Sequence, residues 1–511
     1  MDLSKLDIAV LGGYLLAITL MGVYFARKMI NTEEYFVGGR SLPGWAIGLS
    51  LVGTSISSIT FVAYPGDAFK TAWLRFAPNL MLPVGVAIAA LYFLPFFRRG
   101  RITSAYEFLE QRFGPSVRVY GALAFIFGQI VRISMILYLV ALVIQEITGF
   151  EVGACIWIGG LIVAFYAIVG GIEAVVWTDV LQTIILVAGG VACFWIIVDA
   201  LPGGLAQIIE VAREQDKLSF SDLSHGELRP VPWTLSLHEK TVSMMLLIGL
   251  SAWLTEYSSN QNVIQRYCAS KSSREARKAM LLCTVLSVPI WAFYMFLGTS
   301  LYVFFQVYPA ATATEMLQGV RPAEGILPYF ISHFLPSGCK GLVIAAVLAA
   351  AMSSLDSSIN SVSTVWVVDI YRRHLKPGCG DRHYLKIAWV AASVTSLLMV
   401  AGADYLANTT STTLQDTATI LASLLAAGML GLYLLGFFTR RPDSTAVWIA
   451  IGSTALFTGW TILSQQGLLP RALSVPFDLY YTGIIGNLIL FAVGYALGRR
   501  RQKPVFTVDL R

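Results

Sequence analysis

Long reaches of this chain carry no charge at all. Segments 8–26, 42–66, 76–97 and 279–314 contain no Asp, Glu, Lys or Arg, and each is near or above the roughly 20 residues that cross a hydrocarbon core of about 30 Å. Charged residues make up 13% of the 511 and hydrophobic residues 56%, with a mean hydropathy of +0.68. A soluble fold cannot hide that much apolar surface, so the solvent is largely lipid and the chain reads as one polytopic domain, 1–511. Cysteine is sparse: the six (Cys155, Cys193, Cys268, Cys283, Cys339, Cys379) form no CxxC pair and have no histidines at metal-ligand spacing, which excludes a zinc site and a disulfide framework. The sequence has no GxxxxGK[ST], no HExxH and no nucleophile elbow. Nothing marks an enzyme, and work done across the membrane must draw on an ion gradient rather than on ATP. The first apolar run follows MDLSKLD, which is not the basic start of a signal peptide, so it is expected to stay as a first span.

Thirteen spans are expected, near 8–26, 45–64, 78–97, 120–147, 152–168, 174–198, 241–261, 279–305, 341–368, 387–403, 417–438, 445–463 and 479–498. Of the 36 Lys and Arg, 25 fall in alternate loops, including 98–118, 266–278, 372–386, 440–441 and the tail from 499; ten fall in the other loops and one, Arg132, inside a span. The positive-inside rule then puts the N-terminus outside and the C-terminus inside, in a plasma or inner membrane. The formal charge of +6 is accounted for by topology. It implies no nucleic-acid partner, and no obligate protein partner is indicated. The mixed-charge segment 199–240 falls outside and should form a short helix or cover.

Four ionisable side chains lie well inside the spans: Arg132, Asp179, Glu256 and Asp356. Each costs a few kcal/mol there, so each needs a partner or a watery cavity. The second span contains GTSISSITF, with Gly53 followed by hydroxyls at Ser55, Ser57, Ser58 and Thr60. The seventh contains EYSSNQN, from Glu256 to Asn262. Two interrupted helices with four spans between them are the sign of inverted five-helix repeats, 45–198 and 241–438, with a site at their crossing. Close helix packing by small residues is the plainer reading; it fits the serines better than Glu256, Asn260 and Gln261. In the ninth span, AAAMSSLDSSINS, residues Ala350, Ser353, Ser354, Ser357 and Ser361 recur at intervals that put them on one helix face, with Asp356 adjoining. Carbonyls freed at a break, with two hydroxyls from a facing helix, would suit a hard monovalent cation.

The stretches YFVGGRSLPGW, SISSITF, ITSAYEFLEQRF, GGIEAVVWTDVLQT, NQNVIQRY and AAAMSSLDSSINS followed by DIY resemble the sodium:solute symporter family from the first span to the last. Within it the chain looks closest to bacterial sialic acid symporters, through QIVRISMILYL in the fourth span. The resemblance implies an all-α LeuT-type fold of two inverted repeats, with one helix before and two after. It also implies alternating-access symport of Na+ and a small solute, and a sodium site made by the carbonyls of Gly53, Ile56 and Ala350 and the hydroxyls of Ser353 and Ser354. A second cation site maps onto Asp179, Ser353, Asp356 and Ser357; position 356 is more usually a hydroxyl or small residue, and a carboxylate there makes that site more anionic.

For the solute, the resemblance implies a carboxylate clamp of Arg132 with the Ser57 and Thr60 hydroxyls, since the planar guanidinium grips a carboxylate through two charge-assisted bonds. Ser55 and Glu256 join this set from the two breaks. Elsewhere the pocket departs from the family: Arg75 replaces an aromatic residue, Asn79 a glutamine and Tyr257 a phenylalanine. Sialic acid or a related carboxylate is the first expectation. A neutral sugar or other small metabolite is the alternative, with Arg132 then paired to Glu256 or Asp356. A transporter-derived sensor is a third reading, and it would carry a signalling domain where only a short tail is seen after residue 499.

Overall fold

A computed structural model describes residues 3–99, 102–224, 227–409, 428–439 and 443–499. Helices dominate it, as lipid demands: with no water to receive them, backbone N–H and C=O groups must be satisfied within the segment. Nine of the described helices are long and apolar enough to cross a membrane, ten if the bent pair Gly44–Ser55 and Thr60–Lys70, at 52° to each other, counts as one. The first helix, Lys5–Ala26, starts on a capping box in which Ser4 and Asp7 satisfy each other's backbone N–H groups. Asp7 also accepts from the N–H groups of Gly338 and Gly341 (2.7 and 2.8 Å), pinning this helix to the start of the helix Cys339–Val365.

The expected fifth and sixth spans are continuous as the helix Val152–Ala200. At 1.5 Å per residue its 49 residues would run about 74 Å, far more than one crossing. The chain breaks at Gly171 (φ 60, ψ −170), a backbone region essentially reserved for glycine, and a Cβ there would meet Met29 Sδ at 2.9 Å and Tyr35 O at 3.0 Å. The break falls between the two expected spans. The first half of the expected span 417–438 lies outside the described residues; the second half holds the helix Met429–Phe438.

The serine-rich helix Cys339–Val365 is the centre of the molecule, with Val343–Val347 and Ala349–Val365 all buried. It packs most extensively on the kinked helix Val152–Ala200. Gly189 allows that approach, since a Cβ there would collide with the Cβ of Ala346. This serine-rich span is thus the most enclosed of the described helices long enough to cross a membrane, although others are more apolar. Segment 199–240 holds the expected short helix, Gly204–Glu214, but also an antiparallel hairpin of Ser221–Ser224 with Glu227–Pro230. The all-α expectation is corrected there: outside the spans water can satisfy a hairpin's open edges, so a sheet is allowed. Lys217 ties this cover to the core, donating to Phe69 O and Thr71 O, both at 2.8 Å, at the end of the helix Ser58–Lys70.

Candidate functional site

Both interruptions read from the sequence are present. The first half-helix, Gly44–Ser55, ends where Ile56 turns extended (φ −100, ψ 93), and Ser57 (φ −91, ψ 177) opens the second half-helix, Ser58–Lys70. Helix ends leave carbonyls without intrahelical partners. The helix Val242–Ser259 stops at Asn260 (φ −81, ψ 121) and restarts as Gln261–Ala269. Glu256 has a part in this restart: its Oε2 accepts from Asn260 Nδ2 (2.7 Å), and Asn260 Oδ1 in turn accepts from Asn262 N (2.9 Å), capping the second piece.

The serine-rich helix crosses the first break. Ser353 Oγ donates to Gly53 O at 2.9 Å and lies 3.3 Å from Ala350 O. Ser354 Oγ is buried and has no hydrogen-bond partner among the described residues. Gly53 admits the kinked helix on its other side: a Cβ would sit 2.8 Å from Thr183 Oγ1, whereas Ser353 Cβ, at 3.6 Å, would be in ordinary contact. Four of the five expected sodium ligands are therefore side by side or one residue away, and Ile56, buried, closes the same break.

The second expected cation set converges too, around a residue the sequence reading had placed in a loop. Arg266, counted with the basic segment 266–278, is only 1% exposed and lies in the helix Gln261–Ala269. The helix restarts after Asn260, carrying Arg266 back between the spans. Its Nη2 donates to Asp179 Oδ2 (2.8 Å), Ser357 Oγ (2.7 Å) and Thr54 Oγ1 (2.9 Å), its Nε to Ser50 Oγ (2.7 Å) and its Nη1 to Asn262 O (2.7 Å). Ser50 Oγ also donates to Asp179 Oδ2 at 2.5 Å. Asp356 has no ion pair among the described residues; its Oδ2 accepts from Tyr166 OH at 2.9 Å. Asp179 Oδ1 and Gln182 Oε1 are buried acceptors without a donor among the described residues.

The expected solute residues are less uniform. Arg132, in the helix Pro115–Thr148, is half-buried and makes neither ion pair nor hydrogen bond among the described residues. It is bonded to neither Glu256 nor Asp356, the partners required if the solute were neutral. Ser57 and Thr60 are buried at the start of the second half-helix, and neither caps it through its side chain. Arg75 is ion-paired with Asp67. Asn79 Nδ2 donates to Tyr64 OH at 2.7 Å. Tyr257 is buried with its hydroxyl 3.4 Å from Cys283 Sγ, and Ser55 ends the first half-helix.

Residues 102–106 bridge one side of this assembly. Gln261 Nε2 donates to Thr103 O and its Oε1 accepts from Ala105 N, each at 2.8 Å. Ser104 Oγ donates to Asp369 (2.5 Å), and Tyr433 OH donates to Ala105 O (2.9 Å). Arg118 bonds both Asp369 and Glu110 at 2.6 Å, and Arg373 bonds Glu110. The loop thus joins the second broken helix to Asp369, in the segment Trp366–Leu375 that continues the serine-rich helix. ITSAYEF is legible in the sequence, but nothing in its spacing says what it touches.

The sodium:solute symporter family model matches residues 35–452. The chain is 31% identical over 494 residues to the sodium/sialic acid symporter SiaT of Proteus mirabilis, covering 96% of this chain and 95% of that protein. It is 29% identical over 487 residues to the sodium/glucose cotransporter of Vibrio parahaemolyticus, covering 91% and 87%. A solved structure of a Na+-coupled sialic acid symporter, substrate-bound and outward-open, superposes with a TM-score of 0.87 at 29% identity over 98% of this chain and 100% of that one. A nucleobase-cation-symport-1 family transporter in a closed conformation shares the fold at a TM-score of 0.53 and 15% identity, over 90% of this chain and 94% of that one.

Proposed function

The chain belongs to the sodium:solute symporter family, and from that premise we propose that its solute is sialic acid or a closely related carboxylate. It is a multi-pass membrane protein and a sodium-coupled secondary transporter, not an enzyme. The observation that carries the solute assignment is Arg132: a guanidinium inside a span, without ion pair or hydrogen bond among the described residues. A charge is tolerated at that depth when something compensates it, and a solute carboxylate held beside the Ser57 and Thr60 hydroxyls does so on arrival. The alternative, a neutral sugar or other metabolite, needs a resident partner for Arg132. Glu256 bonds instead to Asn260, and Asp356 to Tyr166. Ser55, Arg75, Asn79, Glu256 and Tyr257 complete the proposed pocket, with Arg75 held by its ion pair to Asp67.

Sodium binds, on this reading, at the carbonyls of Gly53, Ile56 and Ala350 and the hydroxyls of Ser353 and Ser354; the contacts of Ser353 and the unpartnered Ser354 Oγ support it. A second cation is assigned to Asp179, Ser353, Asp356 and Ser357, on the strength of the free Asp179 Oδ1 and the unpaired Asp356 carboxylate. The thirteen-span reading counts Val152–Ala200 as two crossings and each broken helix as one, with 417–438 completing the set. The two breaks at corresponding positions support the repeats 45–198 and 241–438. The positive-inside rule makes the face closed by residues 102–106 cytoplasmic. Uptake of labelled solutes into proteoliposomes, with and without an inward sodium gradient, tests the assignment. Sodium-driven uptake of sialic acid, competed by carboxylates and not by their neutral analogues, is expected; competition by neutral sugars alone would overturn it.

A further inference from the structure

Arg266 joins four elements through one side chain. Its donors reach Ser50 and Thr54 on the first half-helix, Asp179 on the kinked helix, Ser357 on the serine-rich helix, and Asn262 O on its own. Two of these contacts stand next to proposed sodium ligands. Thr54 follows Gly53, and its hydroxyl, besides accepting from Arg266, donates back to Ser50 O at 2.9 Å. Ser357 Oγ donates to Ser353 O at 2.7 Å and so links the guanidinium to the ligand-bearing turn. The Thr54 and Ser357 hydroxyls are themselves 3.3 Å apart. The guanidinium therefore lies behind the Gly53 O to Ser353 Oγ contact without touching either atom, and fixes the rotation of both helices that supply the ligands.

We propose that Arg266 is a positioning residue for the coupling sodium: its fork holds the first half-helix and the serine-rich helix in the register at which the Gly53 and Ala350 carbonyls meet the Ser353 and Ser354 hydroxyls. This rests on the sodium-site reading above. Charge alone does not suffice, because a guanidinium presents five donors in a rigid plane whereas a lysine ammonium is a point charge with three. Arg266 also has a purely structural duty toward Asp179, both groups being buried, and removing either partner of such a pair is strongly destabilising. Loss of expression on removing the arginine would therefore say nothing about sodium. The variants that discriminate are Arg266→Lys, which keeps the charge, and Thr54→Val, which keeps the shape and leaves the Arg266–Asp179 pair in place.

The test is a sodium titration of the purified full-length protein without solute, read as thermal stabilisation, with Ser354→Ala as the control. The expected result is a midpoint raised at least tenfold in R266K and about threefold or more in T54V, with the same maximal stabilisation at saturating sodium. The R266K/T54V double variant should be little worse than R266K, since both act through one contact. A purely structural arginine predicts the opposite: less folded protein and an unmoved midpoint. If S354A raises the midpoint while T54V stays within experimental error of the unaltered protein, the positioning role is wrong; should R266K not fold, T54V decides alone. If S354A itself leaves the titration unchanged, the sodium-site reading has failed, and the assignment of Arg266 fails with it.

Discussion

Arg132→Lys separates the solute clamp from every structural reading of that arginine. The side chain makes neither ion pair nor hydrogen bond among the described residues, so the substitution breaks no bond described in the protein. What it removes is the second prong of a two-pronged grip on a carboxylate. A hydrogen bond to a charged group contributes about 1.5–3 kcal/mol, and about 1.4 kcal/mol corresponds to tenfold in affinity. Solute affinity should therefore fall by roughly 10- to 150-fold, read as the KM for uptake into proteoliposomes or by calorimetric titration at saturating sodium. The yield of folded protein and the sodium midpoint without solute should stay as they are. The competing account pairs Arg132 with Glu256. It predicts that Arg132→Ala depletes folded protein and that Glu256→Ala in the same chain restores it. Because Glu256 is bonded to Asn260 at 2.7 Å, no such rescue is expected. Recovery of both folding and transport in the double variant, or an R132K affinity within about threefold of the unaltered protein, would refute the clamp.

Three further outcomes follow from the geometry. Asp356→Ser, which replaces the unpaired carboxylate with a hydroxyl, should lower the Hill slope for sodium or weaken sodium binding in proteoliposome uptake; unchanged slope, affinity and pH profile would make Asp356 structural. Gln261→Ala removes two of the side-chain bonds that hold residues 102–106 to the second broken helix and leaves that of Tyr106 OH to Ser259 O; it should increase labelling of a cysteine placed in the serine-rich helix by a reagent applied from the closed face, and equal labelling rates would show that the Gln261 bonds do not hold that face shut. Burial works to raise the Glu110 carboxyl, but hydrogen bonds from Arg118 and Arg373 outweigh it and hold the group below its ordinary value. Its contribution is then complete above the ordinary carboxylate range and is lost as pH falls through the depressed value, so thermal unfolding followed down that range should show a decline that is absent from Glu110→Gln.

The parts of this architecture that were legible in the sequence are those written in local chemistry. Gly53 followed by alternating hydroxyls cannot make a good lipid-facing helix, and the chain does leave helical geometry at Ile56. The polar run ending in Asn262 leaves it at Asn260. Helical spacing alone placed Ser353, Ser354 and Ser357 together. What stayed hidden depends on where the chain goes after a break. Arg266 lies six residues beyond Asn260 and among other basic residues, so charge counting assigns it to a loop. Only the restart of the helix reveals that it is buried against Asp179. The paired strands Ser221–Ser224 and Glu227–Pro230 escaped for a similar reason, since four-residue strands carry too little alternation to be seen. The pairing of Arg75 with Asp67 crosses a turn that no periodicity describes.

The first break also bears on how sodium and solute come to depend on each other. The first half-helix ends there with its carbonyls, the negative end of its dipole, and the second begins there with its N–H groups, the positive end. On the proposed reading, sodium takes the carbonyl end at Gly53 and Ile56, and the solute carboxylate takes the opposite end at Ser57 and Thr60. Only three residues lie between Ile56 and Thr60, so whichever ligand binds first fixes backbone that the other also needs. The positive ion and the carboxylate, opposite in charge, further stabilise each other across that short separation. Such coupling is reciprocal by thermodynamic necessity: the factor by which sodium raises solute affinity is the factor by which solute raises sodium affinity. The two ligands need not touch for this to hold, because on the proposed reading one short stretch of unwound chain is shared between their sites.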